Sequence, residues 1–65
     1  MLDPFVRGQI YGYVRANPGD CYSSIRDSLE LSNGVVSYHL GELERRGELE
    51  SRFWGRFRRY YLIAL

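Results

Sequence analysis

The sequence predicts an α+β fold, three helices followed by a β-hairpin, and three observations predict it. Apolar residues recur at helical spacing in three separate blocks before Arg46. Only four residues, Glu30 to Asn33, connect the second block to the third, too few for anything but a tight turn between two helices. From Leu49 the period changes, and the run LESRFWGRFRRYYL is rich in aromatics, contains one central glycine and lacks proline, as two strands around a turn would.

Asp3-Pro4 marks the start of helix one, a capping carboxylate followed by a proline whose missing N–H costs nothing in the first turn. Val6, Ile10, Tyr13 and Val14 form its inward stripe, and Asn17-Pro18-Gly19 stops it. Tyr11 projects nearly opposite that stripe. With Phe5 it is either a solvated aromatic or part of a contact with another subunit. An extended pair at Cys21-Tyr22 would add a short third strand to the later sheet. Ser23 or Ser24 then caps helix two, with Ile25 and Leu29 inward, and Leu31 is the apolar plug that sets the angle to the next helix.

Helix three lies in LSNGVVSYHLGELERR. Ser32 and Asn33 supply caps, and Val36, Leu40 and Leu43 fall at i, i+4 and i+7, so they must face a core. At about 100° per residue, the opposite side carries Gly34, Ser37, Tyr38, Gly41, Glu42 and Arg45. Each exposed helical glycine gives up roughly 0.5 to 1 kcal/mol relative to alanine, which fits a face that something large approaches closely. A major groove admits a helix and is read by short donors, acceptors and guanidinium groups; an ordinary solvated face is the alternative. Glu42 would repel phosphate or accept from a cytosine amino group. Gly47 ends the helix, with Arg45 and Arg46 suited to its negative pole.

The hairpin turns at Gly55-Arg56 in a type II′ geometry. That register pairs Trp54 with Phe57, Phe53 with Arg58, Arg52 with Arg59, Ser51 with Tyr60 and Leu49 with Leu62. Leu49, Ser51, Tyr60 and Leu62 then share a core face, and Arg52, Arg59, Trp54 and Phe57 the other. Two arginines directly opposed are unfavourable unless an anion such as phosphate lies between them, or they splay into water, or Glu48 and Glu50 neutralise them. The geometric expectation is a single surface formed by Ser37, Tyr38 and Arg45 together with the arginine-bearing side of the hairpin.

At 65 residues the chain makes one small domain with no room for a walled enzyme cleft. One histidine and scattered acids assemble no catalytic set, and no enzyme activity is expected. No apolar run approaches a bilayer span and no signal peptide opens the chain, so a cytoplasmic site without a membrane partner is expected. A lone Cys21 agrees with a reducing compartment. Net charge is only +1, but residues 1–50 hold five arginines against eight acids, whereas residues 51–65 hold Arg52, Arg56, Arg58 and Arg59 against none. The positive field is therefore concentrated on the hairpin.

The stretches RGQIYGYVRANPG, LSNGVVSYHLGELERRGELE and GRFRRYYL resemble the small archaeal and bacterial winged helix-turn-helix transcriptional regulators related to the ArsR and MarR groups. The resemblance covers most of Arg7 to Leu62. It implies one winged helix-turn-helix DNA-binding domain over 1–65, with helices at about 4–16, 23–30 and 33–46 and a wing at about 49–63. It also implies that Asn33, Val35, Ser37, Tyr38 and Gly41 lie in or beside a major groove, and that Arg52, Arg56, Arg58 and Arg59 contact phosphates or the minor groove. His39 matches a frequent His-Leu pair of these proteins; it is expected to be half-buried and bonded to backbone, with a phosphate contact as the alternative. ArsR-type sensors hold metal with paired cysteines, and Cys21 with His39 cannot supply the ligand number, so no metal or cofactor is expected.

The resulting candidates on helix three are Asn33, Val35, Ser37, Tyr38, Gly41, Glu42 and Arg45, and on the wing Arg52, Trp54, Arg56, Arg58 and Arg59. The partner is double-stranded DNA. Either Phe5, Tyr11, Leu62 and Leu65 form a homodimer contact, or the chain is part of a longer one. A winged helix used as a protein-interaction module, without direct DNA reading, is the competing expectation.

Overall fold

Asp3 and Pro4 set the first helix in motion. The computed structural model describes residues 3–63, in which α1 spans Pro4–Ala16 and Asp3 caps it by accepting from the Phe5 N–H at 2.9 Å. The second helix, α2, spans Tyr22–Ser28 and departs from expectation at its start. Its N-cap is Cys21, which makes no side-chain capping bond. Asp20 takes the serines' place: one carboxylate oxygen accepts from the Cys21 N–H at 3.0 Å, the other from Ser24 Oγ at 2.9 Å and Tyr13 OH at 2.6 Å. Because the Tyr13 proton goes to the carboxylate, Ser28 Oγ must donate to Tyr13 OH across their 3.0 Å contact. This anchor turns the chain into helix at Tyr22, so the expected third strand shrinks to an isolated bridge between Cys21 and Arg59.

The third helix, α3, spans Asn33–Arg45, with Ser32 accepting from the Val35 N–H at 3.3 Å. Both α2 and α3 end in the same hydrogen-bonded motif. After α3, Glu48 N–H reaches Leu43 O at 2.9 Å and Gly47 N–H reaches Glu44 O at 3.0 Å, with Gly47 at φ 76°. After α2, Leu31 N–H reaches Arg26 O at 3.0 Å and Glu30 N–H reaches Asp27 O at 3.2 Å, but the left-handed residue is Glu30, at φ 55°. A side chain stands there where glycine would be unstrained.

The strands β1, Leu49–Trp54, and β2, Phe57–Leu62, pair antiparallel in the expected register, from Leu49 opposite Leu62 to Trp54 opposite Phe57. Gly55 has φ 61° while Arg56 has no positive φ, as a type II′ turn requires. At the root of the hairpin the α1–α2 connection lies along β2, with Gly19 N–H to Tyr60 O at 2.9 Å and Tyr60 N–H to Asp20 O at 3.1 Å.

All five elements contribute to one core: Ile10 and Val14, Ile25, Val36, Leu40 and Leu43, Leu49 and Tyr60, each at most 3% exposed. Two expectations need correction. Tyr11 is not opposite the stripe but half-buried against the core; it lies only about 80° round α1 from the midpoint of Ile10 and Val14, within reach of a long side chain. Leu62 lies half-buried against the core, on the core face expected for it, in phase with Tyr60. His39 is fully buried at 1% exposure rather than half-buried, and neither ring nitrogen has a hydrogen-bond partner among the described residues. Of the other subunit-contact candidates, Phe5 is 70% exposed and Leu65 lies outside the described residues.

Candidate nucleic-acid interface

The outward side of α3 is low and open. Gly34, Ser37 and Gly41 are exposed, Tyr38 is half-exposed, and a Cβ added at Gly34 or Gly41 would meet nothing within 4 Å. Nothing in the fold itself therefore excludes alanine at either position. Val35 is half-buried and Asn33 exposed. Arg45 and Glu42 form an ion pair one turn apart, so these two candidates largely cancel each other's charge on the helix surface.

Asn33 is held from behind. Arg26 Nη1 donates to its Oδ1 at 2.8 Å, and Tyr22 OH donates to its backbone carbonyl at 2.8 Å. With its Oδ1 so engaged, Asn33 presents its amide N–H2 as the free donor. Sequence reasoning missed both positioning residues. Tyr22 reads as extended from its neighbours alone, and Arg26 is seven positions from Asn33, a spacing that signals nothing across a turn.

The hairpin presents two unlike faces. On the side toward α3, Ser51 Oγ donates to Glu44 Oε2 at 2.7 Å and accepts from Arg58 Nε at 3.1 Å. The Arg58 guanidinium lies 5.2 Å from the Phe53 ring centroid. A groove of about 450 Å³ runs between the two elements, lined by Ser37, Leu40, Gly41 and Glu44 on α3, by Phe53, Arg58 and Tyr60 on the hairpin, and by Tyr22 at its end.

On the far side, Arg52 donates to Glu50 at 2.8 Å and lies 5.2 Å from the Tyr61 ring centroid. Arg59 turns back to donate to Gly19 O at 2.8 Å, and its Nε is buried without a partner among the described residues. The opposed arginines are thus accommodated within the chain, Arg52 by Glu50 and Arg59 by a loop carbonyl. Trp54 and Phe57 stand exposed on this far face, and Arg56 is exposed in the turn.

The expected single surface is therefore corrected. Ser37 and Gly41 continue onto Phe53 and Arg58, not onto Arg52 and Arg59. Leu49 and Tyr60 must face the core, and strand alternation then fixes Phe53 and Arg58 in phase with them and the other two arginines out of phase.

Two titratable groups behind this surface are perturbed. Burial lowers the His39 pKa, with the nearby Arg7 charge pushing the same way and Asp3 opposing. For Asp20, burial raises the pKa, but hydrogen bonds from Tyr13, Ser24 and the Cys21 N–H, with the Arg59 charge, outweigh it and hold the carboxyl below its ordinary value. Among the described residues no three His, Cys, Asp or Glu side chains gather as metal ligands would, and no helix is long and apolar enough to cross a membrane.

A family model described as an N-terminal HTH domain, of the HVO_0163 type, matches residues 5–64. No curated protein matches the chain.

Proposed function

The chain belongs to the family of HVO_0163-type N-terminal helix-turn-helix domains, a class that suggests a DNA partner, and from that premise we propose that it is a sequence-specific, double-stranded DNA-binding transcriptional regulator. In this reading α3 enters the major groove, with Asn33, Ser37 and Tyr38 at base edges and Gly41 allowing close approach. The hairpin is the wing, holding phosphates or the neighbouring minor groove. The observation that carries the reading is the groove shared by α3 and the Phe53–Arg58 face, since it joins a readable helix to a basic strand on one side of the molecule. The ArsR- and MarR-like motifs quoted above support the same assignment. A cytoplasmic, homodimeric protein is the accompanying proposal, with half-sites about 34 Å apart.

The arginines divide by how they are held. Arg59 is committed to Gly19 O, Arg45 to Glu42 and Arg52 to Glu50, which leaves Arg56 and Arg58 as the chief phosphate contacts. Two contacts give a slope of log K against log salt of about −2. Fluorescence anisotropy on random and genomic duplexes between low and physiological salt tests this. Absence of binding at low salt would sink the proposal.

A protein-interaction role is the second reading, and one observation favours it. The Glu42–Arg45 pair leaves α3 with little outward positive charge. Salt-insensitive binding, or a partner protein protecting Tyr38 in place of DNA, would decide for it.

A further inference from the structure

The end of the hairpin carries a feature that phosphate binding leaves unused. Phe53 and Trp54 are each 69% exposed and Phe57 is 53% exposed. The register puts Trp54 directly opposite Phe57 on one face and Phe53 on the other. Aromatic side chains kept in water forgo the burial that usually fixes their place in a fold. Around them stand Arg52, Arg56 and Arg58, and no acid occurs from Ser51 onward. The partner of this tip must therefore offer flat apolar surface and negative charge together. An uncharged protein groove offers only the first, whereas stacked base pairs between two phosphate strands offer both.

We infer that the hairpin tip, through Trp54 and Phe57, is a wedge that enters the minor groove of duplex DNA and pries open a base step, so that binding bends the duplex. The inference rests on the duplex-binding reading above and adds deformation to it. Apolar side chains pushed between base pairs unstack a step and kink the helix. Pyrimidine–purine steps open most readily, so the wedge adds a preference for TA or CA steps at positions where no side chain reads a base edge. The two-residue turn with Gly55 at its first position keeps the tip narrow. On the other face Phe53 has the Arg58 guanidinium 5.2 Å from its ring centroid, whereas Trp54 and Phe57 lie side by side across the register with no cation over either ring among the described residues.

Ligase-mediated ring closure of a DNA fragment of about 150 bp, one persistence length, tests this without knowledge of an operator. The intact chain is expected to speed closure about tenfold, and duplex DNA is expected to quench the fluorescence of Trp54, the sole tryptophan. A chain carrying Trp54→Ala and Phe57→Ala is expected to bind the same duplex more weakly but, at concentrations that anisotropy shows to give the same occupancy as the intact chain, to lose the closure effect, because α3 and the arginines still hold the duplex. Binding by the intact chain without faster closure overturns the wedge and leaves the duplex reading standing. Undiminished closure by the double variant does the same. Stronger quenching of Trp54 by a single-stranded oligonucleotide than by its duplex also overturns the wedge, assigning the tip to unpaired bases. Failure to bind any duplex at low salt removes the duplex reading and the wedge together.

Discussion

Replacing His39 by leucine is expected to make the protein more stable. Histidine 39 is 1% exposed, and its two ring nitrogens, one donor and one acceptor in the neutral imidazole, have no partner among the described residues. A buried polar group left unsatisfied costs about 1 to 3 kcal/mol, while an apolar replacement of similar volume leaves nothing unpaired. His39→Leu should therefore raise the unfolding free energy by about 1 to 3 kcal/mol at neutral pH. In a domain of this size each kcal/mol corresponds to roughly 4 to 8 °C in Tm.

The pH dependence gives a second, independent signature. Because the folded pKa of His39 is lowered by burial and Arg7, the unfolded chain takes up the proton first as pH falls. The stability tied to neutral His39 is fully present above the unfolded value of about 6.5 and is lost as pH drops from there toward the folded value. Urea unfolding followed by far-ultraviolet circular dichroism at pH 7.5 and 5.0 measures both effects; tryptophan fluorescence is a poor probe because Trp54 is exposed in the folded state. The wild type should lose stability over this window and His39→Leu should lose much less. A destabilised leucine variant at pH 7.5, or an equal loss in both proteins, would refute the reasoning.

Three further outcomes follow from particular residues. Glu30→Gly should stabilise the fold by about 0.5 to 1 kcal/mol, since the strain of the left-handed residue exceeds the added freedom of the unfolded glycine; a loss of stability in thermal melts would contradict the role given to Glu30. Gly41→Ala should stabilise the helix by about 0.5 to 1 kcal/mol, because the new methyl meets nothing, yet weaken duplex binding in anisotropy titrations; tighter binding would remove α3 from the interface. Arg58→Glu should weaken duplex binding by about tenfold or more while leaving Tm nearly unchanged, whereas Arg59→Ala should lower Tm through loss of the bond to Gly19 O and affect affinity little. Reversed behaviour would restore Arg52 and Arg59 to the binding face.

The hairpin register was readable because two independent signals agree, Gly55 at a turn that needs positive φ and the alternation that puts Leu49 and Tyr60 inward. The core was readable for the same reason, helical spacing with caps at Asp3 and Ser32. The side of the hairpin that meets α3 was also implicit in the sequence, since Phe53 and Arg58 share the parity of Leu49; charge drew attention to Arg52 and Arg59 instead. Other features depend on contacts that no local pattern encodes. Cys21 and Tyr22 look extended in isolation, but the Asp20 carboxylate gathers Tyr13 and Ser24 around the start of α2. His39 sits beside the apolar stripe at an angle that leaves half-burial as the natural reading, and only tertiary packing, with Arg7 and Asp3 near it, buries it fully. Arg59 looks like a solvent-facing base until the chain 40 positions earlier supplies a carbonyl.

The segment from Gly19 to Cys21 that lies along the root of β2 has a consequence for assembly. A two-stranded ribbon ordinarily offers two open flanks to another chain, and growth from both produces fibres. Here the flank at Arg59 and Tyr60 is already occupied by the protein's own backbone, which leaves the outer flank of β1. At its root, therefore, the ribbon's β2 side is closed to strand pairing with a second copy.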